Sequence, residues 1–174
     1  FAAFYYNLAT LLNNSELAMD ATDYLEEAIK IYAEIGSNFK LAQCYIAYAQ
    51  IMESHKDYQQ AIVYLNKAIE LGTRSGDAYV VALATANLGA VSVNLDKTED
   101  ALQYFNNALL YYKGQQMHYE TAMLKFEMAK AYVHLNDLDS ALVVLAEAET
   151  LLLNMDNRKE LAEIYRLKAP VLTS

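Results

Sequence analysis

The stretch NFKLAQCYIAYAQIMES HKD YQQAIVYLNKAIELGTRSGD, residues 38–77, decides the fold. From about Asn38 to Ser54, the residues Ala42, Tyr45, Tyr48, Ala49 and Met52 fall on one arc of a helix that turns about 100° per residue. After His55-Lys56-Asp57 a second stripe, Ala61, Tyr64, Leu65, Ala68 and Leu71, predicts a second helix. Gly72 and Gly76 stand as its stop signals. The short junction makes the two a hairpin, helix A followed by helix B.

Working outward, the same spacing returns every forty residues. Ala61, Leu65 and Ala68 are preceded by Ala21, Leu25 and Ala28, and followed by Ala101, Phe105 and Ala108, then Ala141, Leu145 and Ala148. In helix A, Ala49 recurs as Ala9, Gly89, Ala129 and Ala169, each after a mostly large residue: Tyr48, Leu8, Leu88, Met128 and Lys168. Small residues where A and B cross let the backbones approach, and a larger side chain there would overpack. Cap-capable residues sit at the A-to-B turns: Ser15, Asp57, Asp96 or Thr98, and Asn136 or Asp137. Gly36-Ser37-Asn38, Gly76-Asp77, Gly114-Gln115-Gln116 and Asp156-Asn157 punctuate the B-to-A turns. A fixed period of this length marks a solenoid, in which each unit buries its apolar face by stacking on its neighbours. One solenoid over residues 1–174 is expected, with repeats at about 1–37, 38–77, 78–117 and 118–157 and a terminal helix over 158–174. The first copy begins inside its A helix and the fifth has only an A helix, Lys159 to about Val171, so a piece of a longer protein is expected.

Composition agrees. Hydrophobic residues make up 55% and charged residues 20%, enough apolar material for a core, and one Pro and five Gly leave helices uninterrupted. A net charge of −9 argues against DNA or RNA as a direct partner, since phosphate binding needs a basic stripe, and against an anionic membrane surface. The lone Cys44 forms no internal disulfide and leaves the compartment open. No apolar run approaches the length of a bilayer span.

A small residue in mid-A, a large one before it, then Ala, a bulky residue four later and Ala three after that resembles the tetratricopeptide repeat. The resemblance covers nearly the whole chain and implies an all-α, right-handed α-solenoid of antiparallel helix pairs. The aromatic that opens the A stripe in that family is matched by Tyr5, Tyr45 and Tyr165 but not by Thr85 or Lys125. The tyrosine near the end of A is matched only by Tyr132, and the proline that closes B is replaced by Ala33, Thr73, Lys113 and Leu153. The usual period is about 34 residues, so the forty-residue units resemble the extended variants of the family, with a longer helix B and inter-repeat turn.

The resemblance places function on the concave face, lined by A-helix residues that point away from the A–B core. If the core arc of the second copy centres on Tyr45, Ala49 and Met52, the opposite arc carries Gln43, Ile46, Ala47, Gln50, Glu53 and Ser54. Applying the period gives Tyr6, Asn7, Thr10, Asn13 and Asn14 in the first copy, and Leu83, Ala86, Asn87, Ala90 and Asn94 in the third. The fourth gives Met123, Phe126, Glu127, Lys130 and His134, and the terminal helix Glu163 and Arg166. This face is nearly neutral, and no three consecutive A helices match the family's carboxylate-gripping Lys, Asn and Arg pattern. Asn7, Asn87, Gln43 and Gln50 are instead suited to an extended peptide backbone, because a side-chain amide both donates and accepts. Ala86 and Ala90 leave room between Ile46 and Phe126 for a bulky apolar ligand side chain.

Blander readings compete with each of these. Tyr45, Tyr64, Tyr104 and Tyr132 fall on stripes that the repeat buries, whereas Tyr6 falls on the groove. Asn13, Asn14 and Asn94 belong to A-helix ends, and Glu26-Glu27 and Glu99-Asp100 read as solvated faces of B helices. His55, His118 and His134 lie at turns or a helix end, without the paired spacing of a zinc site, and Cys44 reads as a buried thiol. The dispersed glycines form no phosphate-binding loop. The sequence therefore predicts a non-enzyme with no catalytic residue, no metal and no cofactor.

Two functional classes remain. In the first the chain is a scaffold that holds a protein or an extended peptide in its groove. In the second it is the sensory region of a larger bacterial signalling protein, because extended repeats of this kind resemble those of peptide-pheromone receptors and those fused to transcription regulators, histidine kinases or diguanylate cyclases. A homodimer through the terminal helices is compatible with either. Cytoplasmic and extracytoplasmic settings both remain open.

Overall fold

The computed structural model describes residues 1–12, 18–155 and 157–172. Among these, every regular element is a helix: α1 (Ala2–Leu12), α2 (Ala18–Glu34), α3 (Asn38–Ser54), α4 (Tyr58–Ser75), α5 (Ala78–Asn94), α6 (Thr98–Gly114), α7 (His118–His134), α8 (Leu138–Leu153) and α9 (Arg158–Val171). The expectations at Asn13, Asn14, Ser15 and Asp156 lie outside the described residues. The chain divides into two compact units, Phe1–Val91 and Ser92–Ser174.

In the first unit α1 packs on α2, α2 on α3 and α3 on α4. Its core joins Ala9, Ala21, Leu25, Ala28, Tyr32, Cys44, Ala47 and Ile51, with Tyr5, Tyr24, Leu41, Tyr48 and Met52 partly buried against it. In the second unit α6 packs on α7, α7 on α8, and α9 on both α8 and α7. Phe105, Tyr112, Leu145, Leu152 and Ile164 are buried there; sequestering each such side chain contributes roughly 1.5–3 kcal/mol. The recurring small residues are buried at Ala9, Ala49, Gly89 and Ala129, as close helix crossing requires, but Ala169 is exposed.

The turns follow one rule. Gly36, Lys56, Gly76, Asp96, Gln116 and Asn136 stand twenty residues apart, and all adopt left-handed backbone, with φ between 55° and 71°. After each, the next amide reaches back to the carbonyl five residues earlier: Ser37 to Tyr32, Asp57 to Met52, Asp77 to Gly72, Lys97 to Ser92, Met117 to Tyr112 and Asp137 to Tyr132. This is the Schellman closure, which satisfies carbonyls that a helix end would otherwise leave unpaired. The residue after the left-handed one then opens the next helix. Asp57 accepts from the Gln60 amide at 3.1 Å, Asp77 from that of Val80 at 3.1 Å and Asp137 from that of Ser140 at 3.1 Å.

Several expectations are corrected by these positions. Asp96 is the left-handed residue, Thr98 is buried, and Lys97 occupies the cap without a side-chain bond. Gly76 ends α4 as expected, but Gly72 is a buried helical residue one turn inside it. A Cβ on Gly72 would lie 2.9 Å from Val80 Cγ1 and 3.0 Å from Val81 Cγ2; close approach to α5, not chain reversal, is its role. Tyr45, Tyr64, Tyr104 and Tyr132 are only half-buried, and the fully enclosed tyrosines are Tyr32 and Tyr112. Tyr48 and Tyr64 stack at 4.1 Å, with Lys67 lying 4.6 Å over the Tyr64 ring, so these phenols keep an edge in water.

Candidate functional site

Of the expected face, Tyr6, Asn7, Thr10, Gln43, Ile46, Gln50, Leu83, Ala86, Asn87 and Ala90 lie in the first unit, on α1, α3 and α5. Asn7, Thr10 and Gln50 are exposed, while Tyr6, Gln43, Leu83, Ala86, Asn87 and Ala90 are half-buried. Ile46 is corrected: at 4% exposure it cannot offer its side chain to a ligand, and Ala47 belongs to the core. The cause is that α3 packs against α2 as well as α4, so its buried arc is wider than a single A–B stripe.

The polar groups divide into two sorts. Some are already engaged locally: Lys40 donates to Gln43 Oε1 at 3.0 Å, and the Thr10 hydroxyl donates to the Asn7 carbonyl at 2.9 Å. The others form a bridge between helices. Gln50 Nε2 donates to Asn87 Oδ1 at 3.1 Å, and Asn87 Nδ2 donates to the Leu83 carbonyl at 2.8 Å. The pair holds Asn87 in one orientation and leaves its second Nδ2–H and Gln50 Oε1 available. One donor and one acceptor side by side, next to the small Ala86 and Ala90, match the complementary groups of an extended peptide backbone.

Tyr6 sits among Tyr32, Cys44 and Tyr79, and burial first, then these neighbours, raise its phenol above the usual value. The Cys44 thiol is pushed up to about 12 by burial. It is therefore neutral and unreactive at physiological pH, as the sequence suggests.

Met123, Phe126, Glu127, Lys130 and Arg166 lie in the second unit, on α7 and α9. The first four are half-buried and Arg166 is exposed. Their charges are spent within their own helices: Lys130 pairs with Glu127 at 2.6 Å and lies 5.1 Å over the Phe126 ring, and Arg166 pairs with Glu163 at 3.1 Å. Exposed pairs of this spacing are worth little to stability, but they neutralise the surface. Among the described residues no group of three or more His, Cys, Asp or Glu could hold a metal, and no helix is long and apolar enough to cross a membrane.

Helix hairpins closed by identical turns, with small residues at their crossings, define a helical-repeat protein. A family model described as the tetratricopeptide repeat matches residues 1–74, and the forty-residue spacing of the Ala and bulky positions continues beyond that stretch. Solved structures agree on the fold. Aspartyl phosphate phosphatase F from Bacillus subtilis superposes with a TM-score of 0.89 at 21% identity, covering 99% of this chain and 45% of that one. A signal-transduction ATPase with a tetratricopeptide-repeat sensor from Pyrococcus horikoshii gives 0.80 at 18% identity, covering 98% of this chain and 26% of that one. Kinesin-light-chain-like repeats from Podosopora anserina give 0.70 at 13% identity, covering 97% and 87%. The chain thus spans under half the length of the first two. At these identities the likeness shows the fold alone. No curated protein matches the sequence.

Proposed function

We propose that this chain is a binding scaffold whose first unit takes an extended segment of a partner protein or peptide across α1, α3 and α5. The observation that carries the reading is the Gln50–Asn87 bridge, an oriented amide pair on an otherwise weakly charged face. The backbone of the ligand would satisfy the spare donor and acceptor, and an apolar ligand side chain would rest beside Ala86 and Ala90. Asn7 and Thr10, exposed on α1, extend the polar track. The phosphatase activity in the name of one similar structure belongs to that protein, and at 21% identity the likeness carries only the fold. A sensory role within a larger signalling protein is a compatible second reading, supported by the fold shared with the repeat sensor of the Pyrococcus ATPase.

A displayed peptide library screened against the wild type, Asn87→Ala and Ala90→Arg, each checked for native helicity, tests the site. Enriched extended peptides whose binding falls at least tenfold in both variants are expected. Enrichment indifferent to both substitutions would move the function off this face.

A further inference from the structure

The second unit contains a cavity of about 390 Å³ between the end of α6, the first half of α7 and the end of α8. Its lining includes Lys113, His118, Thr121, Lys125, Glu147 and Thr150. Because the chain repeats, each of these has a counterpart two periods earlier. Thr121 corresponds to Leu41, which packs against the first unit's core, and Lys125 corresponds to Tyr45, whose ring lies 5.9 Å from that of Tyr64 and carries Lys67 over it at 5.7 Å. Glu147 corresponds to Lys67. Relative to the second repeat, the fourth carries a threonine for a leucine, a flexible cation for a ring, and an anion for a cation, all at one place.

The replacements leave polar groups that the protein does not fully use. Thr121 is 5% exposed, and its hydroxyl has no hydrogen-bond partner among the described residues. Lys125 is also 5% exposed, and its ammonium pairs with the carboxylate of Glu147, whose side chain is 53% exposed. An ammonium has three donors and Glu147 accepts one, so two remain beside the cavity. Buried donors without acceptors are destabilising, and a repeat that needed only packing would have retained the leucine and the ring. The formal charge also points one way: two lysines face a single glutamate here, in a chain whose net charge is −9.

We infer that this cavity binds a small organic anion whose carboxylate or phosphate group is held by the Lys125 ammonium and the Thr121 hydroxyl, with Lys113 at the rim. The volume suits a metabolite-sized molecule, at the lower end of the roughly 300–1,000 Å³ of small-molecule sites. This site is separate from the peptide face proposed for α1, α3 and α5, and stands or falls without it.

Amide NMR titration of the whole chain decides the matter. The probes are succinate, inorganic phosphate and glycerol phosphate, with choline chloride as the cationic control, all at constant ionic strength. Saturable shifts at Thr121, Lys125 and Thr150 are expected with one or more anions and not with choline, and the anion that saturates first separates carboxylate from phosphate recognition. Affinity should fall at least tenfold in Lys125→Met and in Thr121→Leu. The second variant restores the residue of the second repeat and so is expected to fold even if the first does not. Shifts that fail to saturate with every anion would show a cavity holding only water, and saturable shifts that persist unchanged in Thr121→Leu would place the anion away from this hydroxyl; either result overturns the assignment.

Discussion

A single glycine shows how finely one residue adjusts a repeat. Gly72 occupies the place held by Tyr32, Tyr112 and Leu152 in the other copies, all buried. The space is taken instead from the next helix, where Val80 and Val81 stand in place of Lys40-Leu41 and Glu120-Thr121. An alanine at this point would gain about 0.8–1 kcal/mol of helix propensity. It would also force a methyl against two stiff valines and to 3.2 Å from the Asp77 carbonyl, whose residue is tied back to Gly72 by the turn. Overpacking of this kind costs about 1–3 kcal/mol, so the clash wins and Gly72→Ala should lower stability by about 1 kcal/mol. Urea unfolding measures it, and a cycle with Val80→Ala locates it: the double variant should be less destabilised than the sum of the singles. Strict additivity would mean that the methyl does not meet Val80.

At the scale of elements, α9 is fastened to α8 by a compact polar contact. Lys168 Nζ lies 2.6 Å from Glu149 Oε2, with about a quarter of each side chain exposed, and the Tyr165 hydroxyl donates to Glu149 Oε1 at 3.0 Å. The Lys168 hydrogen bond, aided by Tyr165, holds the Glu149 carboxyl below its usual range against the opposing effect of burial. A depressed carboxylate contributes stability that is present above its unfolded value and is lost as pH falls through the lower folded value. Charge-assisted bonds of this partly shielded kind are worth about 1–2 kcal/mol. Glu149→Gln should therefore destabilise the protein by about that much at neutral pH, and less in acid, where the wild type has itself lost the charge. Hydrogen exchange should place the loss in α9 and the facing turn of α8. An equal stability difference at pH 7 and pH 3 would show that the carboxylate's charge contributes nothing.

For the molecule as a whole, the period was legible because buried Ala and Leu positions repeat in perfect register, and α3 spans the very residues that the stripe predicts. The turns were less legible. Left-handed backbone at Lys56, Asp96, Gln116 and Asn136 is imposed by Schellman closure and bears no glycine to announce it. Of the described residues expected on the face of α1, α3 and α5, all but Ile46 and Ala47 are exposed or half-buried, and those two are buried because a helix packed on two sides has no single polar arc. The cavity beside Lys125 had one visible signal, a lysine where the repeat wants an aromatic, and its meaning depends on Thr121 and Glu147 meeting it in space. Charge is the property that belongs to no single repeat. Twenty-two acidic against thirteen basic residues leave the net −9, while the exposed ion pairs lie within single helices and each is worth only a few tenths of a kcal/mol. Salt weakens both the pairs and the mutual repulsion of the excess carboxylates, and at separations beyond about 10 Å the repulsion is the part screened most completely at 0.1 M. The partly buried Lys168–Glu149 contact is shielded from that screening. Repulsion should dominate, so raising sodium chloride from 10 to about 500 mM at pH 7 should raise the Tm by a few degrees, with most of the gain below about 0.15 M. A Tm that falls over this range would mean that the ion pairs outweigh the net charge in holding the repeats together.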